Sequence, residues 1–250
     1  MKITTVYFSA TYTTHRIVGH LAKRLSEEVT ECDITNQAPT KEVIIPKDEV
    51  LVVGIPVYAG RVPQISLERL SALKGNGQKA VAVVVYGNRE YDDALLETKD
   101  ALEANGFRVV AAAAFIAEHS IVRSIAAGRP DAEDEALCRQ FAADVMAKAD
   151  DAVIVQVPGN NPYKELNPSA FHPAASESCV KCGVCAQQCP VGAIPLDDPS
   201  QTNNDLCINC MRCVQVCSAS SRTLPDAFLN MITQTLNQNA AGYKSPGIFL

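Results

Sequence analysis

Two cysteine runs in the C-terminal third constrain this chain more than any other feature of its sequence. The first run reads Cys179-Val-Lys-Cys182-Gly-Val-Cys185-Ala-Gln-Gln-Cys189, and the second reads Cys207-Ile-Asn-Cys210-Met-Arg-Cys213-Val-Gln-Val-Cys217. Both follow the pattern C-x2-C-x2-C-x3-C, and each cysteine of the second run lies 28 positions after its counterpart in the first. The chain therefore contains an internal repeat of a metal-binding half-site.

This spacing is the bacterial run for [4Fe–4S] clusters, in which the fourth cysteine of each run ligates the other cluster. Three thiolates at every third position line one short loop and reach three corners of a cubane, and the related run supplies the fourth ligand. The pattern predicts two ligand sets, one of Cys179, Cys182, Cys185 and Cys217, the other of Cys207, Cys210, Cys213 and Cys189.

Zinc and disulfides explain the cysteines less well. Zinc sites usually need only C-x2-C pairs, and a lone zinc ion has no use for the third cysteine of each run. The N-terminus lacks the apolar core of a secretory signal, and no apolar stretch approaches the roughly 18 residues of a membrane span. We therefore expect a reducing, cytoplasmic location without disulfides. The two remaining cysteines, Cys32 and Cys138, are expected to be buried reduced thiols.

The segment from residue 176 to about 224 resembles a bacterial-type two-cluster ferredoxin. The resemblance implies a small, pseudo-symmetric α+β domain whose core consists partly of the clusters. A chain of 250 residues is too long for such a domain alone, so a second domain is expected.

Residues 1–155 alternate between apolar strand patterns and helical patterns. Strands are predicted at 3–8, 32–35, 50–55, 80–86 and 107–117, and helices at 15–29, 64–73, 92–105 and 131–149. Gly106 is expected at the C′ position of the third helix, and Asp131 as the N-cap of the fourth. Uniformly apolar strands between helices predict an α/β fold with a doubly wound, five-stranded parallel sheet.

Ligands of such sheets bind beyond the carboxyl ends of the strands, which draws attention to the loops 9–14, 56–63 and 86–91. They read Ser9-Ala-Thr11-Tyr12-Thr13-Thr14, Pro56-Val-Tyr-Ala-Gly-Arg-Val-Pro63 and Tyr86-Gly-Asn-Arg-Glu-Tyr91. The first loop offers hydroxyl and N–H groups at a helix N-terminus, where anions bind. It lacks the glycines of a dinucleotide or P-loop motif, which argues against NAD and ATP.

This arrangement of loops resembles a flavodoxin, and the resemblance implies bound FMN. Carried over by position, the phosphate would be held by Ser9, Thr11, Thr13 and Thr14. The flavin ring would be lined by Pro56, Val57, Tyr58, Ala59, Gly60, Arg61, Val62, Tyr86, Gly87, Asn88, Arg89 and Tyr91. The chain departs from the family at Tyr12, where flavodoxins usually have glycine. The tyrosine either crowds the phosphate loop or folds over the phosphate.

Three further segments complete the chain. Residues 118–130 are too long for a simple connection, and His119, Arg123 and Arg129 could contact a flavin, a substrate or the cysteine domain. Alternatively, His119 only caps a chain end. Residues 156–175 have the composition of a linker. Residues 225–250 are expected to form an amphipathic helix, with Phe228, Leu229, Ile232 and Leu236 on one stripe, and an apolar tail that packs back on the protein.

Over its whole length the chain resembles fusions of a flavodoxin-like domain with a two-cluster ferredoxin. The resemblance implies an electron-transfer protein that passes electrons between two [4Fe–4S] clusters and FMN. Two alternatives stay open: an FMN-dependent reductase of a small acceptor fed by its clusters, and a flavin-free ferredoxin with a docking domain. The sequence has no catalytic triad, paired-carboxylate site or NAD motif, which favours the carrier.

The overall charge gives a first indication of partners. The net charge of −6 disfavours nucleic acid and points to redox partner proteins with basic docking patches. The sequence leaves the oligomeric state open.

Overall fold

The computed structural model describes residues 2–148, 155–167 and 169–250. The N-terminal elements are β1 (Lys2–Tyr7), α1 (Thr13–Leu25), β2 (Val29–Asp33), β3 (Val43–Ile44), β4 (Glu49–Pro56), α2 (Gln64–Leu70), β5 (Leu73–Lys74), β6 (Lys79–Tyr86), α3 (Ala94–Ala104), β7 (Arg108–Ile116) and α4 (Ala132–Ala147). The C-terminal elements are β8 (Ala174–Ala175), α5 (Val184–Gln187), α6 (Arg212–Gln215), β9 (Arg222–Thr223), α7 (Asp226–Asn239) and β10 (Gly247–Phe249). The predicted helix end near Ala149 lies outside the described residues.

Five parallel strands form the centre of the fold, in the order β2-β1-β4-β6-β7. Counted along the chain, this is the order 2-1-3-4-5 of the flavodoxin-like doubly wound sheet. Strands β4, β6 and β7 are almost entirely buried, as their uniformly apolar sequences predict for a parallel sheet covered on both faces. The predicted doubly wound α/β architecture is confirmed.

The main sheet has six strands rather than the predicted five. Strand β10 pairs antiparallel with β7, so that Gly247 lies opposite Ala114 and Phe249 opposite Ala112. Ile248 and Phe249 add to the cores on opposite faces of the sheet. The expectation that the apolar tail packs back on the protein is confirmed. Its pairing with β7 could not be predicted, because three residues carry too little alternation to identify a strand.

Helices cover both faces of the sheet. On one face, Leu21 of α1 and Phe141 of α4 share a core with the strands, and on the other face Leu70 of α2 and Leu95 of α3 do so. Helix α1 lies very close to β4, because a Cβ added at Gly54 would stand 2.1 Å from Val18 Cγ2. The glycine therefore sets the distance between this helix and the sheet.

Several predicted element ends differ from the structure. The first helix ends at Leu25 rather than residue 29, because Ser26 is extended and Val29 already begins β2. The second ends at Leu70, because Leu73–Lys74 pairs with β3. The third begins at Ala94 and is followed, as predicted, by Gly106 in the left-handed region with φ of 88°.

The start of α4 agrees with its predicted cap. The Asp131 carboxylate accepts hydrogen bonds from the backbone N–H groups of Glu133 and Asp134, at 2.9 and 3.1 Å. The Asp134 carboxylate accepts from the Asp131 N–H in return, which completes a capping box. Asp134 also forms a buried ion pair with Arg129, which anchors the end of loop 118–130 to α4.

The C-terminal part returns to the sheet domain. No helix or strand forms in the described residues between 156 and 173.

Leu236 and Ala240, at the end of α7, pack against Val122 and Ile125 of loop 118–130. Nowhere in the described ranges is a helix both long and apolar enough to cross a bilayer.

The two cysteines outside the runs differ in burial. Cys138 is buried, as expected, whereas Cys32 is only partly so.

Candidate functional site

The two cysteine runs fold into the same local structure. Each contains a one-turn helix, α5 in the first run and α6 in the second. Left-handed residues recur at the repeat distance of the cysteines, in the pairs Lys181 and Asn209, Gly183 and Met211, and Gly192 and Ser220. These positive φ angles curl each loop tightly, so that three cysteines of a run face one cavity.

Two cavities of equal volume lie inside the curled loops. The first, of about 330 Å³, is lined by Cys179, Cys182, Cys185 and Cys217. The second, also of about 330 Å³, is lined by Cys189, Cys207, Cys210 and Cys213. Each cavity thus receives three cysteines from one run and the last cysteine of the other. The structure brings together the four members of each predicted ligand set, while ligation itself stays a prediction.

The donor set suits a multi-atom group rather than a single ion. In the described parts of the chain, no three His, Cys, Asp or Glu side chains are arranged to hold one metal ion. The sulfur atoms surround cavities instead. Backbone N–H groups point at two of them, from Ala193 to Cys189 Sγ at 3.2 Å and from Ser221 to Cys217 Sγ at 3.3 Å. Such donors stabilise negative charge on sulfur, so the lining fits two thiolate-bound clusters.

The pKa values of two buried cysteine thiols are raised, which disfavours the thiolate form that binds iron. Burial raises the pKa of Cys210 to about 12 and that of Cys213 to about 11. At Cys217, burial acts upward, but hydrogen bonds from Ser221 and neighbouring N–H groups outweigh it and lower the pKa. Coordination to iron removes the proton of a thiol outright. Cluster binding would therefore hold these cysteines as thiolates, although burial alone favours the neutral thiols.

The predicted phosphate loop, residues 9–14, is well ordered by local contacts. Ser9 Oγ accepts a hydrogen bond from the His15 N–H at 3.0 Å, and the Ser9 N–H donates to Thr35 Oγ1 at 2.8 Å. Tyr12 has φ of 68°, in the left-handed region that favours glycine. The chain thus places a tyrosine in a backbone conformation that glycine adopts more easily.

A third cavity, of about 570 Å³, opens beside this loop. Its lining includes Thr11 and Thr13 from the predicted phosphate set, and Arg16 from the first turn of α1. Loop 118–130 adds several polar residues, among them His119, Arg123 and Arg129, and α6 adds Gln215. Two of the arginines are paired, Arg123 with Glu118 at 2.5 Å and Arg129 with Asp134. The cavity combines hydroxyl groups, a helix N-terminus and cations, which suits an anion.

The first predicted ring loop, residues 56–62, forms a tight hydrogen-bonded turn and is bound to α3 by an ion pair. The Tyr58 N–H donates to the Arg61 carbonyl at 2.8 Å, around a turn with positive φ at Ala59 and Gly60. Arg61 binds Glu97 through Nε and Nη2, at 2.7 and 2.6 Å. Burial raises the pKa of Tyr58 well above its usual value, next to Cys210. None of these loop residues is among those that line the third cavity.

The second predicted ring loop, residues 86–91, is held by the C-terminal segment. Asn88 has φ of 64° and is 2% exposed, and its amide nitrogen donates to the carbonyls of Ala240 and Gly242 at 2.6 and 2.7 Å. Its Oδ1 atom is buried and has no hydrogen-bond partner among the described residues. Gly87 packs against His119 so closely that a Cβ there would stand 2.4 Å from the imidazole. The loop thus reaches the third cavity through His119 and presents one unpaired acceptor.

His119 caps its own loop and also lines the third cavity. Its Nδ1 accepts hydrogen bonds from the N–H groups of Ile121 and Val122, at 3.2 and 3.1 Å. Burial, and secondarily the charge of Arg89, lower the pKa of His119 to about 4. The ring is therefore neutral at physiological pH, with its proton on Nε2.

Comparison with known proteins supports the interpretation of the cysteine domain. Residues 178–221 match a family model described as a 4Fe–4S dicluster domain. A 46-residue segment is 44% identical to YccM of Escherichia coli (strain K12), which is provisionally named an electron transport protein. That segment is 18% of this chain and 13% of YccM, so the chain corresponds to only a small part of this relative.

The N-terminal part resembles solved flavodoxin structures only loosely. An archaeal flavodoxin shares 16% identity, covers 60% of this chain and 100% of its own, and has a TM-score of 0.43. Flavodoxin 1 of Bacillus cereus shares 18% and covers 59% and 98%, with a TM-score of 0.42. A short-chain flavodoxin associated with a bacterial microcompartment shares 19% and covers 60% and 99%, with a TM-score of 0.45. The strand order alone therefore carries the fold assignment.

The chain joins a flavodoxin-like domain to a 4Fe–4S dicluster domain. The matched family is an iron–sulfur one, and [4Fe–4S] centres in general cycle between oxidation states over a wide range of potentials.

The dicluster domain packs directly on the flavodoxin-like domain, with its second cavity at the junction. Cys210 belongs to the same buried core as the strands of the sheet. Arg69 Nη2 donates to the Pro190 carbonyl at 2.6 Å, and Arg212 Nη1 donates to the Ala10 carbonyl at 3.0 Å. The first cavity differs, because Cys182 and Val180 in its lining are exposed. One cavity therefore faces the partner domain and the other reaches solvent.

Sequence reasoning missed several residues of the site. Arg16 and Gln215 line the third cavity, and Arg212 contacts the phosphate loop. Arg212 and Gln215 are non-cysteine positions of the second cysteine run, to which the motif assigns no role, and Arg16 lies in no motif. One comparison could have identified Arg212. It stands where the first run has Val184, so the repeat is broken there by a charge.

Proposed function

We propose that this chain carries electrons between two [4Fe–4S] clusters and a bound FMN. The observation that carries the proposal is the division of eight cysteines into two sets of four, each around its own cavity. The first cavity would hold a cluster on Cys179, Cys182, Cys185 and Cys217, and the second a cluster on Cys189, Cys207, Cys210 and Cys213. The clusters would supply one-electron chemistry and FMN a change between one- and two-electron steps.

The two cavities suggest an order of transfer. Val180, beside the first cavity, is 71% exposed, and Cys182 is also exposed. A redox partner protein would meet the cluster of this cavity first, and a partner with a basic patch would suit the net charge of −6. The second cavity adjoins loops 9–14 and 56–62 through Arg212 and Cys210. Its cluster would exchange electrons with the flavodoxin-like domain.

Two observations support FMN binding by the flavodoxin-like domain. Thr11 and Thr13 line a cavity at the N-terminus of α1, where Ser9 Oγ accepts the His15 N–H and Thr14 is buried. A phosphate would be bound there by hydroxyl and N–H groups. The buried Oδ1 of Asn88 lacks a donor, and flavin carries an N–H group that would satisfy it. The remaining ring-loop residues would contribute mainly backbone groups and the Tyr58 side chain.

A second candidate function follows from the third cavity. At about 570 Å³, it is open to solvent and bordered by His119, Arg123 and Arg129. A small anionic acceptor would bind among these side chains, and the chain would then be an FMN-dependent reductase fed by its clusters. Saturable turnover of such an acceptor would distinguish this enzyme from a carrier.

Cofactor content of anaerobically purified protein tests the main proposal. We expect about eight iron, about eight acid-labile sulfide and about one FMN per chain. About eight iron without flavin, even after incubation with FMN, would rule out FMN and leave a ferredoxin with a docking domain. Fewer than about four iron per chain would rule out the clusters themselves.

A single substitution tests the crossed ligand sets. Cys217→Ala removes a cysteine of the second run from the first cavity, so about four iron should be lost from the cluster on Cys179, Cys182 and Cys185. Cys138→Ala, which removes a buried cysteine outside both runs, is the matched control and should keep all iron. If Cys217→Ala selectively lost the cluster on Cys207, Cys210 and Cys213, the crossed assignment would be wrong.

A further inference from the structure

At one position of the repeat, the second cysteine run buries a charged residue where the first run has an apolar one. Val184 begins α5 in the first run, and Arg212 begins α6 in the second. The Arg212 side chain is directed into the flavodoxin-like domain, where Nη1 donates to the Ala10 carbonyl at 3.0 Å. Its guanidinium lies over the ring of Tyr12, 4.4 Å from the centroid. One side chain thus joins a cysteine loop to the predicted phosphate loop.

Among the residues that the structure describes, the buried charge of Arg212 has no carboxylate partner. The residue is 6% exposed, and its Nε has no hydrogen-bond partner in the described parts of the chain. Arg129 is equally buried but forms an ion pair with Asp134. A carbonyl and an aromatic face do not neutralise a guanidinium, and buried charges in proteins are normally paired or bound to a metal centre. Arg212 therefore calls for an anion that the described residues do not supply.

The second cavity is where that anion would lie. Arg212 is one of its lining residues, between Cys210 and Cys213. A [4Fe–4S] cluster on four thiolates is anionic, and it gains one further negative charge when a redox partner reduces it by one electron. We propose that Arg212 is the counter-charge of the cluster in the second cavity, raises its reduction potential, and fixes it against loop 9–14. This inference rests on the proposed clusters.

Two substitutions, each of which replaces a residue of one cysteine run by the residue at the equivalent position of the other run, test the role of Arg212. Arg212→Val introduces the residue of the first run, and Lys181→Asn introduces the residue of the second run at a matching position beside the first cavity. Both remove one positive charge, but the Lys181 side chain is 62% exposed and screened by water. The readouts are iron content and an anaerobic redox titration followed by EPR.

We expect Arg212→Val to keep about eight iron and to move one of two one-electron transitions to lower potential, with the other unchanged. The moving transition should be the one lost in Cys207→Ala. Lys181→Asn should move neither by a comparable amount, and Arg212→Lys should reverse most of the shift. Unchanged transitions in a fully loaded Arg212→Val would overturn the inference.

Loss of iron from Arg212→Val would make Arg212→Gln the deciding variant, because its amide can still donate to the Ala10 carbonyl. A lowered potential in Arg212→Gln supports the inference. Loss of one cluster from that variant as well would overturn it, because Arg212 would then be needed for assembly rather than for potential. Wild-type protein without clusters would instead refute the proposed function, so the two failures are distinguishable.

Discussion

Stability should fall on acidification because of His119, which borders the third cavity. The imidazole accepts two backbone hydrogen bonds at Nδ1 and packs on Gly87. Protonation at Nδ1 would break both bonds and place a charge in a buried position near Arg89. Since the folded-state pKa is lowered from 6.5 to about 4, the unfolded chain binds a proton more readily than the folded one. Stability is therefore fully present above pH 6.5 and is lost as the pH falls towards 4.

The size of the effect follows from the pKa difference. One pKa unit corresponds to about 1.4 kcal/mol, so the fall from 6.5 to about 4 is worth at most about 3 kcal/mol, reached below pH 4. Iron–sulfur clusters are labile in acid, so the pH range over which the free energy of unfolding can be measured is narrower. Between pH 8 and pH 5.5, linkage gives a loss of about 1.4 kcal/mol from this one residue.

Urea unfolding under anaerobic conditions at pH 8 and pH 5.5 measures the loss. His119→Asn is the comparison, because an Asn carboxamide can accept the same two N–H groups, two and three residues ahead, without titrating. The variant should lose about 1.4 kcal/mol less than wild type over this window. His20→Gln, at a half-exposed imidazole of α1 that faces Glu135 of α4, controls for removing an imidazole elsewhere. Equal pH dependence in wild type and His119→Asn would refute the reasoning.

Two further predictions concern the packing that positions the site. Asp134→Asn leaves the buried Arg129 without its carboxylate and should lower the free energy of unfolding by about 3–5 kcal/mol, whereas the double variant Arg129→Met/Asp134→Leu should recover much of it; a loss below about 1 kcal/mol in urea would contradict this. Gly54→Ala forces a Cβ to within 2.1 Å of Val18 and should cost about 1–3 kcal/mol. The matched control Gly19→Ala, in the middle of α1 with nothing within 4 Å, should instead stabilise by about 0.5–1 kcal/mol, and equal effects of the two substitutions would show that the close helix–sheet approach is not limiting.

Local sequence patterns predicted those parts of the protein that local physics determines. The uniformly apolar strands β4, β6 and β7 specify a sheet buried on both faces, and the Asp131 cap specifies where α4 begins. The spacing of the cysteines specifies which four can converge, because a repeat with fixed offsets constrains both runs at once.

Contacts between distant parts of the chain could not be predicted in this way. Asn88 binds carbonyls more than 150 positions away, and Arg212 reaches Ala10 across 202 positions. The sequence around neither residue identifies its hydrogen-bond partner, since a single polar side chain is compatible with many surroundings. The same limit applies to the ring loops, whose sequence resembles flavodoxins although the structure ties them to α3 and to the C-terminal segment.

The position of β10 in the chain makes the two domains poor candidates for separation. Strand β7 is a nine-residue apolar strand, and β10 covers its outer edge. An uncovered edge of this kind is a template on which another chain can add a strand and aggregate. Because β10 follows the cysteine runs in the sequence, any C-terminal truncation that removes those runs also removes this cover. Solubility of the flavodoxin-like half therefore depends on residues that lie beyond the iron–sulfur half.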